Sequence, residues 1–136
     1  MNTPVGPNEF ILDNGSQVSL ARPEFQRNLE PHRSGYRGVG GEVTKTYERG
    51  TLDSLATCLA SPNARLNVLS FGEVEENNDI EYVPNVGFRV YLQDGTVVDF
   101  EKRDRLYFAN LKSWKYRSNN AHVNVVYNKR ERTYVY

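Results

Sequence analysis

Phe10-Ile11-Leu12-Asp13-Asn14-Gly15-Ser16 is an apolar run that stops on a carboxylate and turns at once on Asn-Gly. Three large apolar side chains in succession predict a buried strand, and Asn14-Gly15 forces a reversal directly after it. Asp13 is therefore expected where a core strand ends. A carboxylate there is held rigidly, loses part of its water, and needs N–H groups, hydroxyls or a partner charge around it. A catalytic acid is mounted in this way, and so is an Asp that merely caps a turn. On these seven residues alone the turn cap is the commoner use.

The 136 residues give room for one domain with a modest core. Nine tyrosines and six phenylalanines favour strands over helices, so a mostly β protein is expected. The single cysteine, Cys58, excludes an internal disulfide, and its apolar setting between Thr57 and Leu59 reads as a packed thiol rather than a nucleophile. No signal-like segment opens the sequence and no run approaches a membrane-spanning length, which reads as a soluble intracellular protein with no membrane partner. A formal net charge of zero removes any whole-protein electrostatic case for nucleic acid. The charge is unevenly spread: residues 101–136 carry nine Lys/Arg against three Asp/Glu, and the first hundred carry eight against fourteen. A basic tail of this kind contacts nucleic acid, folds on the body, or serves as a solvated linker, the last two together being favoured.

Residues 1–8, with Pro4, Gly6 and Pro7, are expected to form an extended leader. Residues 9–13 make the first strand, and 17–20 alternate as a short second one. Pro23 starts a helical turn through Phe25 and Leu29 that Pro31 stops, and polar 32–36 reads as a loop. The loop leads into a hairpin whose tip sets Gly38, Gly40 and Gly41 around Val39. Such a tip adopts positive φ and brings backbone N–H groups close to another molecule, as a mobile flap does, although an ordinary glycine-rich hairpin has the same composition. After it, Val43, Lys45 and Tyr47 alternate against Glu42, Thr44 and Thr46 as on a two-sided strand. Residues 66–71 form another buried strand and 72–78 a short acidic helix. Period-two patterning then resumes, with Asp94-Gly95 as the strongest two-residue hairpin signal, and 79–110 read as a β-meander. Residues 116–120 look like a linker, and 123–127 with 134–136 a terminal strand.

Several chemistries are excluded by spacing. His32 and His122 are isolated, and the acidic run at 73–81 lacks the ligand pattern of a calcium loop, so no metal and no cofactor is expected. The serines have no companion histidine, and Ser16 follows a turn rather than sitting in a nucleophile elbow. Gly38-Val39-Gly40 lacks the further glycine and helix of a dinucleotide-binding turn.

What remains is a carboxylate ending a buried strand, a glycine-tipped hairpin about 25 positions later, and a second buried strand about 30 positions after that. In that order these parts resemble the retroviral-type aspartic proteases. Leu12-Asp13-Asn14-Gly15-Ser16 is similar to the family's hydrophobic-Asp-Thr/Ser-Gly-Ala/Ser signature, Gly38-Val39-Gly40-Gly41 to its flap tip, and Asn67-Val68-Leu69-Ser70 followed by a helix to its core support strand. The copia-type branch of LTR retrotransposon polyproteins is closer still, with Arg105-Leu106-Tyr107 resembling the end of its meander.

The resemblance spans residues 9–111 and implies an all-β, retropepsin-like half-barrel with one short helix, followed by a C-terminal β-extension or basic tail over 112–136. It implies a symmetric homodimer, because a chain with one such turn supplies only one of the two carboxylates the chemistry requires. Asp13 would be catalytic, Asn14, Gly15 and Ser16 would form the active-site turn, with Ser16 bonded to the carboxylate, and the flap would close over an extended peptide of the protein's own polyprotein. Such an enzyme works in the cytoplasm or inside a virus-like particle. The sequence departs from the signature at Asn14, where the family has a hydroxyl that bonds across the dimer, and carries Ser70 where retroviral members have glycine. Two further readings stand beside the enzyme: a non-catalytic retropepsin-like dimerisation or peptide-binding module, and a nucleic-acid contact through the basic tail.

Overall fold

The computed structural model describes residues 6–38, 40–111, 126–128 and 133–135. Among these the protein is mostly β, with one short α-helix. Strand β1 is Glu9–Asp13, and Phe10, Ile11 and Leu12 are all buried, as consecutive apolar residues must be on a strand covered on both faces. β2 (Ser19–Ala21) follows, then a 3-10 turn at Pro23–Phe25, β3 (Arg27–Arg37) and β4 (Val43–Leu52). β5 (Ala56–Ala60), β6 (Asn67–Ser70) and helix α1 (Phe71–Asn77) lead to the meander of β7 (Asp79–Val83), β8 (Gly87–Tyr91), β9 (Val97–Arg103) and β10 (Leu106–Asn110). β11 (Val126–Asn128) and β12 (Thr133–Val135) pair antiparallel as a second, two-stranded sheet. The expected linker at 116–120 and most of the expected leader lie outside the described residues.

Ten strands form one sheet in the order β3-β4-β5-β2-β6-β1-β10-β9-β8-β7. β1 and β2 are consecutive in the chain yet are not neighbours. β6 lies between them, parallel to β1 with Asp13 opposite Ser70, and antiparallel to β2 with Leu20 opposite Val68. Adjacent strands sit about 4.8 Å apart, so the connection from β1 to β2 must bridge roughly twice that distance. A two-residue hairpin would forbid the insertion, and the five residues 14–18 permit it. Phe10 and Leu12 join Phe25, Leu52, Leu69 and Phe100 in the core, with Phe10 edge-on to Phe25 at 5.2 Å.

Three local readings are corrected. Residues 32–36 belong to β3 rather than to a loop. That strand is the outer edge of the sheet, where Pro31 needs no ladder donor and no alternation is imposed. Leu29 and Pro31 likewise belong to β3, the helical turn ending at Phe25, whereas the two-sided reading of 42–47 holds, with Thr46 2% exposed and Val43 and Tyr47 59% and 63% exposed. Finally, Asp94-Gly95 does not form a two-residue turn. Leu92 N donates to Thr96 O at 2.8 Å and Gly95 N to Leu92 O at 3.0 Å, a three-residue loop that needs its glycine at the last position, where φ is 88°. The two-residue reversal is Asp104-Arg105, with φ of 51° and 67° and Arg103 opposite Leu106. Left-handed backbone costs a residue with a Cβ about 1–2 kcal/mol, and arginine lacks the short polar side chain that eases this for aspartate.

Gly87 holds φ 143° where β8 meets β9, and a Cβ there would collide with the Phe100 carbonyl oxygen. Gly87→Ala is expected to cost at least about 2 kcal/mol, read as a lower urea midpoint at unchanged slope.

Candidate active site

Asp13 is half-buried at the end of β1. Its Oδ1 accepts the Gly15 N–H at 2.8 Å, and a Cβ on Gly15 would stand 3.3 Å from that oxygen, close enough that the carboxylate would have to shift by a few tenths of an ångström. Asn14 and Gly15 are exposed. Ser16 does not reach the carboxylate as the resemblance implies; its hydroxyl donates to Val18 O at 2.6 Å.

Two side chains fix the strand that carries Asp13. Buried Asn67 donates to Pro7 O at 3.1 Å and Glu9 O at 3.3 Å and accepts the Arg22 N–H at 3.0 Å, which binds β6 to β1 and to the start of the 3-10 turn. Glu9 forms a two-pronged pair with Arg103 at 2.9 Å on each oxygen, and also accepts the Gly6 N–H. The Arg103 guanidinium lies 4.1 Å from the centre of the Phe108 ring. The hydrogen bonds from Arg103 hold the Glu9 carboxyl below its ordinary value.

Of the expected support strand, Asn67, Leu69 and Ser70 are buried and Val68 is half-buried. Ser70 caps α1, its Oγ accepting the Glu73 N–H at 3.3 Å. A glutamate three residues past the cap ordinarily returns to the cap's own N–H. Here Ser19 stands between them: Ser70 N donates to Ser19 Oγ at 2.9 Å, and Ser19 Oγ donates to Glu73 Oε1 at 2.6 Å. Thr57 N donates to the other carboxylate oxygen at 3.0 Å, so one glutamate binds β2, β5 and α1 together. The Ser-x-x-Glu spacing at 70–73 is the sequence signal for Glu73; nothing in the sequence marks Ser19.

A cavity of about 220 Å³ opens beside Asp13. Leu12, Asp13, Asn14, Phe71, Phe88 and Tyr107 line it, Phe88 lying edge-on to Phe71 and Tyr107 at 5.4 and 4.7 Å. Arg105 and Leu106 complete the lining. The spacing of the meander does not bring Phe88 or Arg105 to Asp13 on paper; the order β1-β10-β9-β8 does.

The glycine-tipped hairpin lies elsewhere, on the other half of the sheet. Gly38 N donates to Glu42 O at 2.8 Å and Gly41 N to Gly38 O at 3.0 Å, with φ 87° at Gly41, the same closure as at Gly95. Arg37 donates to Gly41 O at 2.8 Å. Val39 lies outside the described residues, and no described residue of the hairpin lines the Asp13 cavity.

Burial, with a smaller contribution from Glu73, pushes the Cys58 thiol above its ordinary range, so it is a packing group and not a nucleophile. Among the described residues no three His, Cys, Asp or Glu are grouped to hold a metal ion, and no helix is long and apolar enough to cross a membrane. Compared with protein-family models, with curated proteins and with solved structures, the chain matches none.

Ser19→Ala strands the Ser70 N–H and one Glu73 oxygen together, and is expected to cost about 2–3 kcal/mol in denaturant unfolding. For Glu9 the folded value lies below the unfolded one of about 4.3. Its pair with Arg103 therefore contributes in full above that value and is lost as pH falls through the lowered one. Thermal midpoints of wild type and Glu9→Gln are expected to differ at pH 7 and to converge as pH drops below about 4.

Proposed function

We propose that this protein is a homodimeric aspartic endopeptidase of the retropepsin-like kind, with Asp13 as its catalytic residue. The observation that carries the reading is the threading of β6 between β1 and β2, which sets Asp13 at the end of a central strand opposite Ser70, directly before a helix. Asp13 is also held by its own turn and borders an open cavity, and among the described residues it forms no ion pair.

In a two-fold dimer the carboxylates of two Asp13 residues meet, and like charges that close share one proton. The ionised member takes a proton from a water while that water's oxygen bonds to the carbonyl carbon of an extended peptide. The protonated member gives its proton to the carbonyl oxygen. The tetrahedral adduct then collapses: as the C–N bond breaks, the carboxyl that took the water's proton gives it to the nitrogen, the other carboxylate takes a proton from an adduct hydroxyl, whose oxygen becomes the new carbonyl, and the dyad again holds one proton. The backbone N–H of Gly15 holds Oδ1 and fixes the carboxylate's orientation. The hairpin at Gly38, Gly40 and Gly41 would have to swing toward the site on binding, and its exposed Val43 and Tyr47 offer apolar surface to a peptide.

Asn14 supports a second reading, a dimeric peptide-binding module without turnover. Its amide is larger than the hydroxyl of the resembled signature, though it has both a donor and an acceptor with which to bond its counterpart. One series of measurements separates the two. Under the protease reading the parent polyprotein is cleaved, the rate falls faster than linearly on dilution, and Asp13→Asn abolishes cleavage by at least about a thousandfold. Cleavage that persists in Asp13→Asn removes the aspartic mechanism, and peptide bound without cleavage at any concentration favours the module. Asn14→Thr is expected to raise dimer affinity in either case.

A further inference from the structure

The hairpin of β3 and β4 carries a cavity of its own, about 430 Å³ and larger than the one beside Asp13, lined by Arg33, Ser34, Lys45, Thr46 and Tyr47. Pro31 stands opposite Glu48 and Ser34 opposite Thr46, so His32 and Arg33 together face Tyr47 alone, a bulge that bends the strand at this place. Five cations lie on the two strands. Arg27 is paired with Asp53 and Arg49 with Glu30, and Arg37 donates to the Gly41 carbonyl oxygen. The other two, Arg33 and Lys45, are exposed, form no ion pair among the described residues, and are the two that line the cavity. No carboxylate of the hairpin joins them: Glu30 is held by Arg49, and neither Glu42 nor Glu48 is part of the lining. Thr46 borders the same space, is 2% exposed, and has a buried hydroxyl without a hydrogen-bond partner. A hydroxyl left so is destabilising, and native chains keep few of them.

We propose that this cavity binds a phosphoryl group, either free phosphate or the phosphomonoester of a modified peptide side chain. Two cations with no acid between them set a positive field, the guanidinium offering a planar fork of donors and the ammonium a compact charge. Ser34, Thr46 and Tyr47 add three hydroxyls, each able to donate. A carboxylate brings a single charge, whereas a phosphomonoester at pH 7 brings about −1.5 to −2 and three strong acceptor oxygens, which suits a lining of two cations and several hydroxyls better. The Thr46 hydroxyl gains from it the acceptor that the fold does not supply. None of these residues lines the Asp13 cavity, so the site stands apart from the protease reading and does not depend on it.

The test is a titration of the nitrogen-15-labelled full chain, read from its amide shifts, with inorganic phosphate and with N-acetyl-O-phosphoserine amide, against sodium chloride at matched ionic strength. Saturable shifts centred on residues 33–34 and 45–47 are expected with at least one of the two phosphoryl probes and not with chloride. Arg33→Gln/Lys45→Gln is expected to weaken binding by about tenfold or more and to leave the thermal midpoint unchanged, since neither side chain is paired within the fold. Thr46→Val, which removes the unpartnered hydroxyl, is expected to raise the midpoint without ligand and to weaken binding as well. Should the double variant fail to fold, Thr46→Val decides alone. Phosphate bound as tightly as the phosphoserine probe assigns the site to the free anion, and tighter binding of the probe assigns it to a phosphorylated side chain. Shifts that chloride reproduces, shifts that never saturate, or binding that neither variant weakens overturn the proposal.

Discussion

The position of Asp13 depends on one pairing, the insertion of β6 into the gap that the turn after β1 leaves open. Without β6, β1 has a partner only in β10, and the backbone groups along its other edge lose their ladder. With it, β1 is a central strand, paired with β10 at residues 9–11 and with β6 at residues 10–13, and the residue that ends it is fixed relative to the cap of α1. The pairing is parallel, so it cannot be made by a short turn and must be held by groups far apart in the chain. Asn67 does so with three hydrogen bonds to backbone groups of Pro7, Glu9 and Arg22. A buried amide that satisfies its donors and acceptor this way adds little net stability, but it discriminates sharply against a shifted register, because any slip leaves it unpaired.

The same economy recurs around the helix. Asn78, fully buried, donates to Ser54 O and Val74 O and accepts from Ser54 Oγ, while Glu73 at the other end collects Ser19 and Thr57. Helix α1 is two turns long and would not persist alone. Its ends are therefore stitched to β2, β5 and the loop before β5, and Val74 is the side chain it commits to the core.

Much of this was legible in the residues. The apolar run at 10–12 gave β1 to the residue, and the turn, the strand before the helix, the helix and the meander each appear close to where their patterns place them. What failed were readings in which local chemistry is overridden by position in the sheet. Residues 32–36 look like a loop because an edge strand has no buried face to impose alternation. Asp94-Gly95 and Asp104-Arg105 exchange roles, since turn propensity ranks residues by comfort and the second turn is uncomfortable. The aromatic half of the cavity at Asp13 is invisible in sequence for another reason: Phe71, Phe88 and Tyr107 converge only after three strands have been laid down in order.

The bidentate pair between Glu9 and Arg103 joins residues 94 positions apart, and Asn67 reaches back 60 positions to Pro7. Contacts of that span are closed late, after the loop entropy between them has been paid, and chains dominated by them fold slowly. While the chain is emerging from a ribosome, the strand that ends in Asp13 waits, unpaired and apolar, for partners not yet made. The carboxylate thus acquires its setting only when almost the whole sheet exists, which delays the site to the last stage of folding and leaves the unfinished chain sticky in the interval.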